Sequence, residues 1–297
     1  MATSLYVSNE RLLAVCGSAT GRRITVNRFA QAPLPTGAVL NGVITDEKLF
    51  AEALGRLSDA LGGRLSPVRL VVSSSLIYVK RATLPKLPAR KLAGLVAGEF
   101  SDVDAGDDTL VTDYRILSQA GADGGQTALL CAVKRSFVAA YEEFYRANRI
   151  RLSCLDVAAD ALGKLVRLLP SLREQTFILL DLDGNTLEAT LYVLGEFRYS
   201  SRTRLMNERG TPESLNEIMR LVSSIIQFNT AERSGQSVTA VHLIGQRPEE
   251  SALMNSIGTA FDLPCAPLAD DSDAIRPAGC ERPPLSVYAA AVGNLIE

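Results

Sequence analysis

A chain of 297 residues, 47% apolar and 22% charged, has the composition of a globular protein. It exceeds the size at which one hydrophobic core stops growing, so two lobes are expected. A net charge of −2 and the lack of tryptophan exclude the basic field and stacking surface that nucleic acid demands.

The five cysteines (Cys16, Cys131, Cys154, Cys265, Cys280) are widely spaced and form no zinc-knuckle or redox pair. They read as free thiols of a reducing compartment. The opening residues lack the cationic start of a secretory signal, and no apolar run is long enough to cross a bilayer. A cytoplasmic location follows, with any membrane association made through a partner.

Residues Thr3–Val7, Leu12–Cys16 and Arg23–Ala30 alternate as three short strands with turn residues between them. After a Pro/Gly-rich loop, Asp46 is placed to cap a helix whose apolar positions Leu49, Phe50, Ala53, Leu54, Leu57 and Leu61 share one face. The run Val68–Ser73 has the pattern of a buried central strand. Then come a strand at Ile77–Thr83, a two-proline turn and a helix over Ala89–Phe100. Strands at Val111–Ser118 and Thr127–Val133 flank a flexible Gly121–Gly125 loop. A helix capped by Ser136 and a strand at Ile150–Leu155 follow. Asp156 is expected to cap a helix that Pro170 stops.

The order then restarts. Thr176–Asp181, Thr186–Val193 and Phe197–Arg204 form a second three-strand meander. Thr211-Pro212 opens a long helix reaching Glu232, with Leu215, Ile218, Met219, Val222, Ile225, Ile226 and Phe228 inward. Val238–Gly245 is a second buried strand, and a closing helix spans Pro284–Ile296. Meander, helix, buried strand occurs twice, which implies two similar α/β lobes facing a cleft.

In this order and spacing, the segments Gly42–Asp46, Leu84-Pro85, Val111–Tyr114, Leu130–Arg135, Asn148–Leu162, Asp181-Leu182 and Tyr288–Gly293 resemble the PilM-like proteins of type IV pilus machines. FtsA and the cytoplasmic part of GspL are more distant likenesses. The resemblance implies an actin-like (RNase H-like) α/β fold. The first lobe would comprise residues 1–83 and 156–175, an inserted subdomain 84–155, and a reduced second lobe 176–297. It also implies a PilN-like membrane protein as partner, whose cytoplasmic tail would dock between the first lobe and its insertion, near Pro85–Phe100. A GspL-like secretion component is an alternative.

Actin-like ATPases hold ATP between two hairpins and an adenosine-binding turn. Here Tyr6, Ser8 and Leu13 stand where the first hairpin needs Asp, Gly and Lys. In the second, Asp181 and Thr186 match, but Asp183 replaces a glycine ahead of Gly184-Asn185. A carboxylate ~4–5 Å from a phosphate would oppose binding by about 3–4 kcal/mol at an effective dielectric near 20. That corresponds to roughly two to three decades in affinity. The adenosine turn keeps one glycine, Gly245, and Met206–Thr211 is too short to hold a fourth subdomain. The vestigial site would thus be Asp181, Gly184, Asn185, Thr186 and Gly245. No catalytic residue, metal or cofactor is expected, and the chain reads as an assembly platform. The alternative is an ATPase that uses ATP and magnesium with Asp181 as ligand. His242, the one histidine, sits in an apolar strand and reads as a core residue. Ser73–Ser75 lacks a nucleophile elbow, and the acidic run at residues 270–273 reads as a solvated loop.

Overall fold

The computed structural model describes all residues except 64, 120–124, 233, 234 and 271, and the side chain of 249. The first sheet is built on β1 (Ala2–Val7), β2 (Arg11–Thr20) and β3 (Arg23–Pro33), joined as an antiparallel meander. A small hairpin, β4 (Val39–Leu40) and β5 (Val43–Ile44), leads into α1 (Glu47–Ala60). Asp46 caps α1 by accepting from Leu49 N–H at 3.0 Å, and Phe50, Ala53, Leu54 and Leu57 are buried on one face. β6 (Val68–Val72) then pairs parallel to β1.

An excursion follows: β7 (Tyr78–Pro85), α2 (Ala89–Gly98), β8 (Leu110–Gln119) and β9 (Gly125–Lys134), with sheet order β7-β9-β8. After α3 (Arg135–Ala147) the chain returns as β10 (Leu152–Val157), parallel to β6, and enters α4 (Ala158–Leu168).

The second lobe repeats the plan. β11 (Phe177–Asp183), β12 (Thr186–Val193) and β13 (Glu196–Arg204) form the meander. α5 (Pro212–Ala231) is capped by Thr211, and β14 (Ala240–Ile244) pairs parallel to β11. Then come α6 (Ser251–Phe261), β15 (Cys265–Pro267), β16 (Ile275–Pro277) and α7 (Leu285–Gly293). The sheets run β10-β6-β1-β2-β3-β16 and β13-β12-β11-β14-β15. Numbered within its own lobe, each contains the order 3-2-1-4-5.

One core cluster packs α1 and α3 under the first sheet, and another packs α5 and α6 under the second. A third lies between the sheets and holds α4 and α7. There a Cβ on Gly293 would stand 2.0 Å from the Ala161 carbonyl oxygen, so only glycine lets the helices approach this closely.

The structure corrects three expectations. Ser136 does not cap its helix; Lys134 is the N-cap residue, and Asp108 accepts the Ser136 N–H at 3.1 Å. Asp156 does not cap either, because it belongs to β10 and its carboxylate is drawn to Lys164, 2.7 Å away. The insertion is not 84–155: its sheet begins at Tyr78, while Phe137, Tyr141, Phe144 and Tyr145 of α3 fill the first lobe's core and β10 completes its sheet. Residues 246–283, for which the sequence reading gave no helix or strand, also hold structure. α6 and β15 extend the second lobe, and β16 crosses back to pair with β3 of the first. The glycine loop expected at 121–125 lies outside the described residues, save Gly125 at the start of β9. Of the positions expected inward on α5, Ile218, Val222 and Ile225 are fully buried; Phe228 is partly buried and stacks on Tyr199, ring centroids 4.3 Å apart.

Candidate functional site

Two regions concentrate polar chemistry: the seam where the hairpins of the two lobes meet, and a groove between insertion and first lobe.

At the seam, the β1–β2 turn is shaped by Ser8, whose Oγ accepts from Glu10 N at 3.2 Å and Arg11 N at 2.9 Å. This Ser-turn aims the next residue at the opposite lobe. Asn9 donates its backbone N–H to both carboxylate oxygens of Asp183, each at 2.9 Å. Its Nδ2 donates to Asp183 Oδ2 at 3.1 Å and to the Asp183 carbonyl at 3.3 Å. Beside them Arg247 pairs with Glu10 across the lobes. The residual cavity is about 30 Å³, with Tyr6, Ser8, Asp181, Asp183 and Gly245 among its lining. That is room for a water, against roughly 300–1,000 Å³ for a small-molecule site.

Behind the second hairpin, the buried Arg209 guanidinium forms a fork with Glu250 and donates to three carbonyls: Leu182 at 3.3 Å, Gly184 at 3.2 Å and Gly245 at 3.1 Å. Burial alone would raise the Glu250 carboxyl, but hydrogen bonds from Arg209 and the Arg247 backbone outweigh it and hold it low. Gly245 has φ +72°, and a Cβ there would meet the Leu182 carbonyl oxygen at 2.2 Å.

The carboxyls on the cavity side shift the other way. Burial, then repulsion from Asp183 and Glu188, pushes Asp181 well up; Arg202 and Arg209 oppose this. Asp183 is raised by burial, against the hydrogen bonds from Asn9 and Ser8, and Glu188 is raised by burial, against Arg202. The Tyr6 hydroxyl is buried without a hydrogen-bond partner.

The structure brings Asp181, Gly184, Thr186 and Gly245 to this one seam. Asn185 is exposed there, and its carbonyl receives Leu205 N–H at 2.7 Å. Tyr6, Ser8 and Leu13 line the cavity from the first lobe. Sequence reading missed Asn9, Glu10, Arg209, Arg247 and Glu250. A polar Ser-Asn-Glu turn opposite an Asp-rich one was a visible signal, but their pairing across lobes was not. His242 is held in its strand by Gln175 at 3.1 Å and lies edge-on to Phe177. Asp270 folds its own loop, accepting from Ser272 N–H at 2.8 Å, and residue 271 lies outside the described residues. No cluster of three or more metal-ligating side chains occurs among the described residues, and all five cysteines are free.

The groove lies between the edge strands β8 and β10. Its two cavities, about 280 and 190 Å³, share Arg115, Asp160 and Lys164. Lys164 is almost fully buried and bridges Asp156 at 2.7 Å and Asp160 at 2.9 Å. Arg115 reaches across from β8 to Asp160. Burial and the neighbouring Asp160 raise Asp156. Asp160 is lowered, because hydrogen bonds from Arg115 and Lys164 outweigh its burial. α2 is not part of this groove. Leu92 and Val96 pack on the other face of the insertion's sheet, against Leu84, Ala128, Leu130 and Ala132. The segment Pro85–Phe100, where docking was expected, does not line this groove; Leu92, Val96 and Phe100 close the insertion's own core.

Two lobes of identical strand order, facing hairpins and a helix pair between the sheets define the actin-like fold. Among solved structures, the chain is similar to a PilM–PilN type IV pilus biogenesis complex, with a TM-score of 0.80 and 16% identity over 99% of this chain and 97% of that one. It also resembles a protein of actin-like ATPase fold from Bacteroides thetaiotaomicron, with a TM-score of 0.56 and 12% identity over 89% and 90% of the two chains. No protein-family profile and no curated protein matches the sequence. No helix among the described residues is long and apolar enough to cross a membrane.

Proposed function

We propose that this chain is a non-catalytic scaffold of a type IV pilus or related secretion apparatus, an actin-like protein that works by docking partners. The observation that carries the reading is the seam. The space between the hairpins, where an actin-like ATPase would place phosphates, amounts to about 30 Å³. It faces the Asp181 and Asp183 carboxyls, and the Asp183 oxygens are already taken up by Asn9 of the facing turn. These residues do not fit ATP with magnesium.

The partner we infer is the cytoplasmic tail of a PilN-like inner-membrane protein, by analogy with the PilM–PilN complex of the same fold. It would lie in the β8–β10 groove, where two strand edges and a narrow cleft suit an extended peptide. On this reading the protein sits at the cytoplasmic face of the membrane through that tail.

Calorimetric titration with Mg·ATP is the first test. No heat and no thermal shift at millimolar nucleotide supports the scaffold. Micromolar binding that Asp181→Ala abolishes overturns it in favour of an ATPase. For the partner, Cys154→Trp, which fills the groove, is expected to stop capture of the protein by an immobilised PilN-like tail. Unchanged capture sinks the groove assignment.

A further inference from the structure

Asn9 and its neighbours do more than narrow a cavity. In a two-lobed clamp the free lobes gain entropy by swinging apart, and a bound ligand offsets that cost by bridging both sides. Here the bridge is made by the chain itself. The Asp183 carboxylate, rooted in the second lobe's β11, is held by two donors of Asn9 in the first lobe: the backbone N–H, shared between both oxygens, and Nδ2. Hydrogen bonds to a charged acceptor are among the stronger ones, and those here are largely shielded from water. Glu10 and Arg247 add an ion pair on one flank, and Arg202 of β13 donates to Ser73 beyond β6 on the other. Under the seam, where α7 lines the same cavity with Val287 and Ala290, the lobes are also tied by α4 against α7, and elsewhere by β16 pairing with β3.

We infer that the Ser8–Glu10 turn is an intramolecular clasp, which closes the interlobe cleft without a ligand. Asn9 stands as a built-in occupant between the hairpins. The clasp rests on the seam geometry and survives whether or not a PilN-like tail is the partner. It differs from the α4–α7 contact in kind. The clasp is polar and lies at a rim, so it opens locally, whereas the helix pair is apolar and opens only with global unfolding.

Hydrogen–deuterium exchange on the intact chain tests this. In the wild type the Asn9 amide should be protected, since its acceptor is Asp183. Asn9→Gly removes the side-chain donor, and Asp183→Asn removes the charge and replaces one acceptor oxygen with an NH2 donor that faces the Asn9 donors. Each should raise exchange at residues 8–11 and 183–186 at least tenfold, with protection in α4 and α7 unchanged and the native circular-dichroism spectrum retained. Small-angle scattering should show a larger radius of gyration for Asn9→Gly paired with Arg247→Ala. Fast exchange at Asn9 in the wild type, or unaltered exchange and radius in all variants, would overturn the clasp. Binding of Mg·ATP to the wild type with Asn9 still protected would overturn the scaffold reading alone.

Discussion

The two lobes share a strand order and differ at their turns. In the first, the β1–β2 turn is held by the Ser8 hydroxyl and by the Ser8 N–H, which donates to the Arg11 carbonyl at 3.0 Å, and its tip projects outward to the other lobe. In the second, the β11–β12 turn is held from behind by the buried Arg209 guanidinium, which ties three carbonyls together. The framework repeats because burying a meander, a helix and two parallel strands has few solutions. The turns are free of that constraint, so the differences in chemistry collect there. One turn is a plug, the other a braced socket.

Breaking the brace should cost most. Arg209→Ala leaves Glu250 buried without its guanidinium, with only the Arg247 N–H still bonded to it, and loss of about 3–5 kcal/mol is expected in denaturant unfolding. Replacing both by Met and Leu should recover a large part of it. Ser8→Ala in the plug should cost only about 0.5–1.5 kcal/mol, the scale of ordinary hydrogen bonds. Equal losses at the two turns would refute the asymmetry.

The junction between lobes comes next. Gly293→Ala forces a Cβ to within 2.0 Å of the Ala161 carbonyl oxygen. Separating α7 from α4 should cost roughly 1–3 kcal/mol. It should also loosen the helix contact of the interface while the clasp stays protected. A melting temperature equal to wild type would show that the helices slide freely, against the packing seen.

Much of this was legible in the sequence. Asp46 and Thr211 announced their helices, and VRLVV and AVHLI their central strands. The duplication followed from their order. What failed has a common cause. Asp156 has the residue type and spacing of a cap, yet Lys164 and Asp160 reach it only after folding. α2 shows an apolar stripe without showing which sheet face receives it. The seam residues Asp181, Thr186 and Gly245 were found by motif. Asn9 and Arg209 were not, since each acts on partners distant in the chain. Short strands such as β15 and β16, three residues each, carry too little periodicity to be read.

The smallest expected effect separates the two sides of the cavity. Tyr6 faces it from the first lobe and Asp181 from the second. Around Asp181 stand Asp183 on its own strand, Glu188 on β12, Arg202 on β13, Arg209 before α5 and Tyr6 on β1. The net effect raises the Asp181 carboxyl, so the folded state holds its proton to higher pH than the unfolded chain does. Between the unfolded value, about 4, and the raised folded value, the native state binds more protons. Stability must therefore fall as pH rises through that window and level off above it. Asp181→Asn removes this contribution. It should make the decline above pH 4 shallower, the raised Asp183, Glu188 and Asp156 carboxyls supplying what remains, and stabilise the protein at neutral pH by about 0.5–1 kcal/mol. Tyr6→Phe, which deletes a hydroxyl without a partner, should leave the profile's shape unchanged at little cost. Urea unfolding at pH 4.5, 6 and 7.5 measures both. If Asp181→Asn is instead destabilising at pH 7.5, Arg202 and Arg209 outweigh burial and hold the carboxylate in its charged form, which would overturn the raised titration.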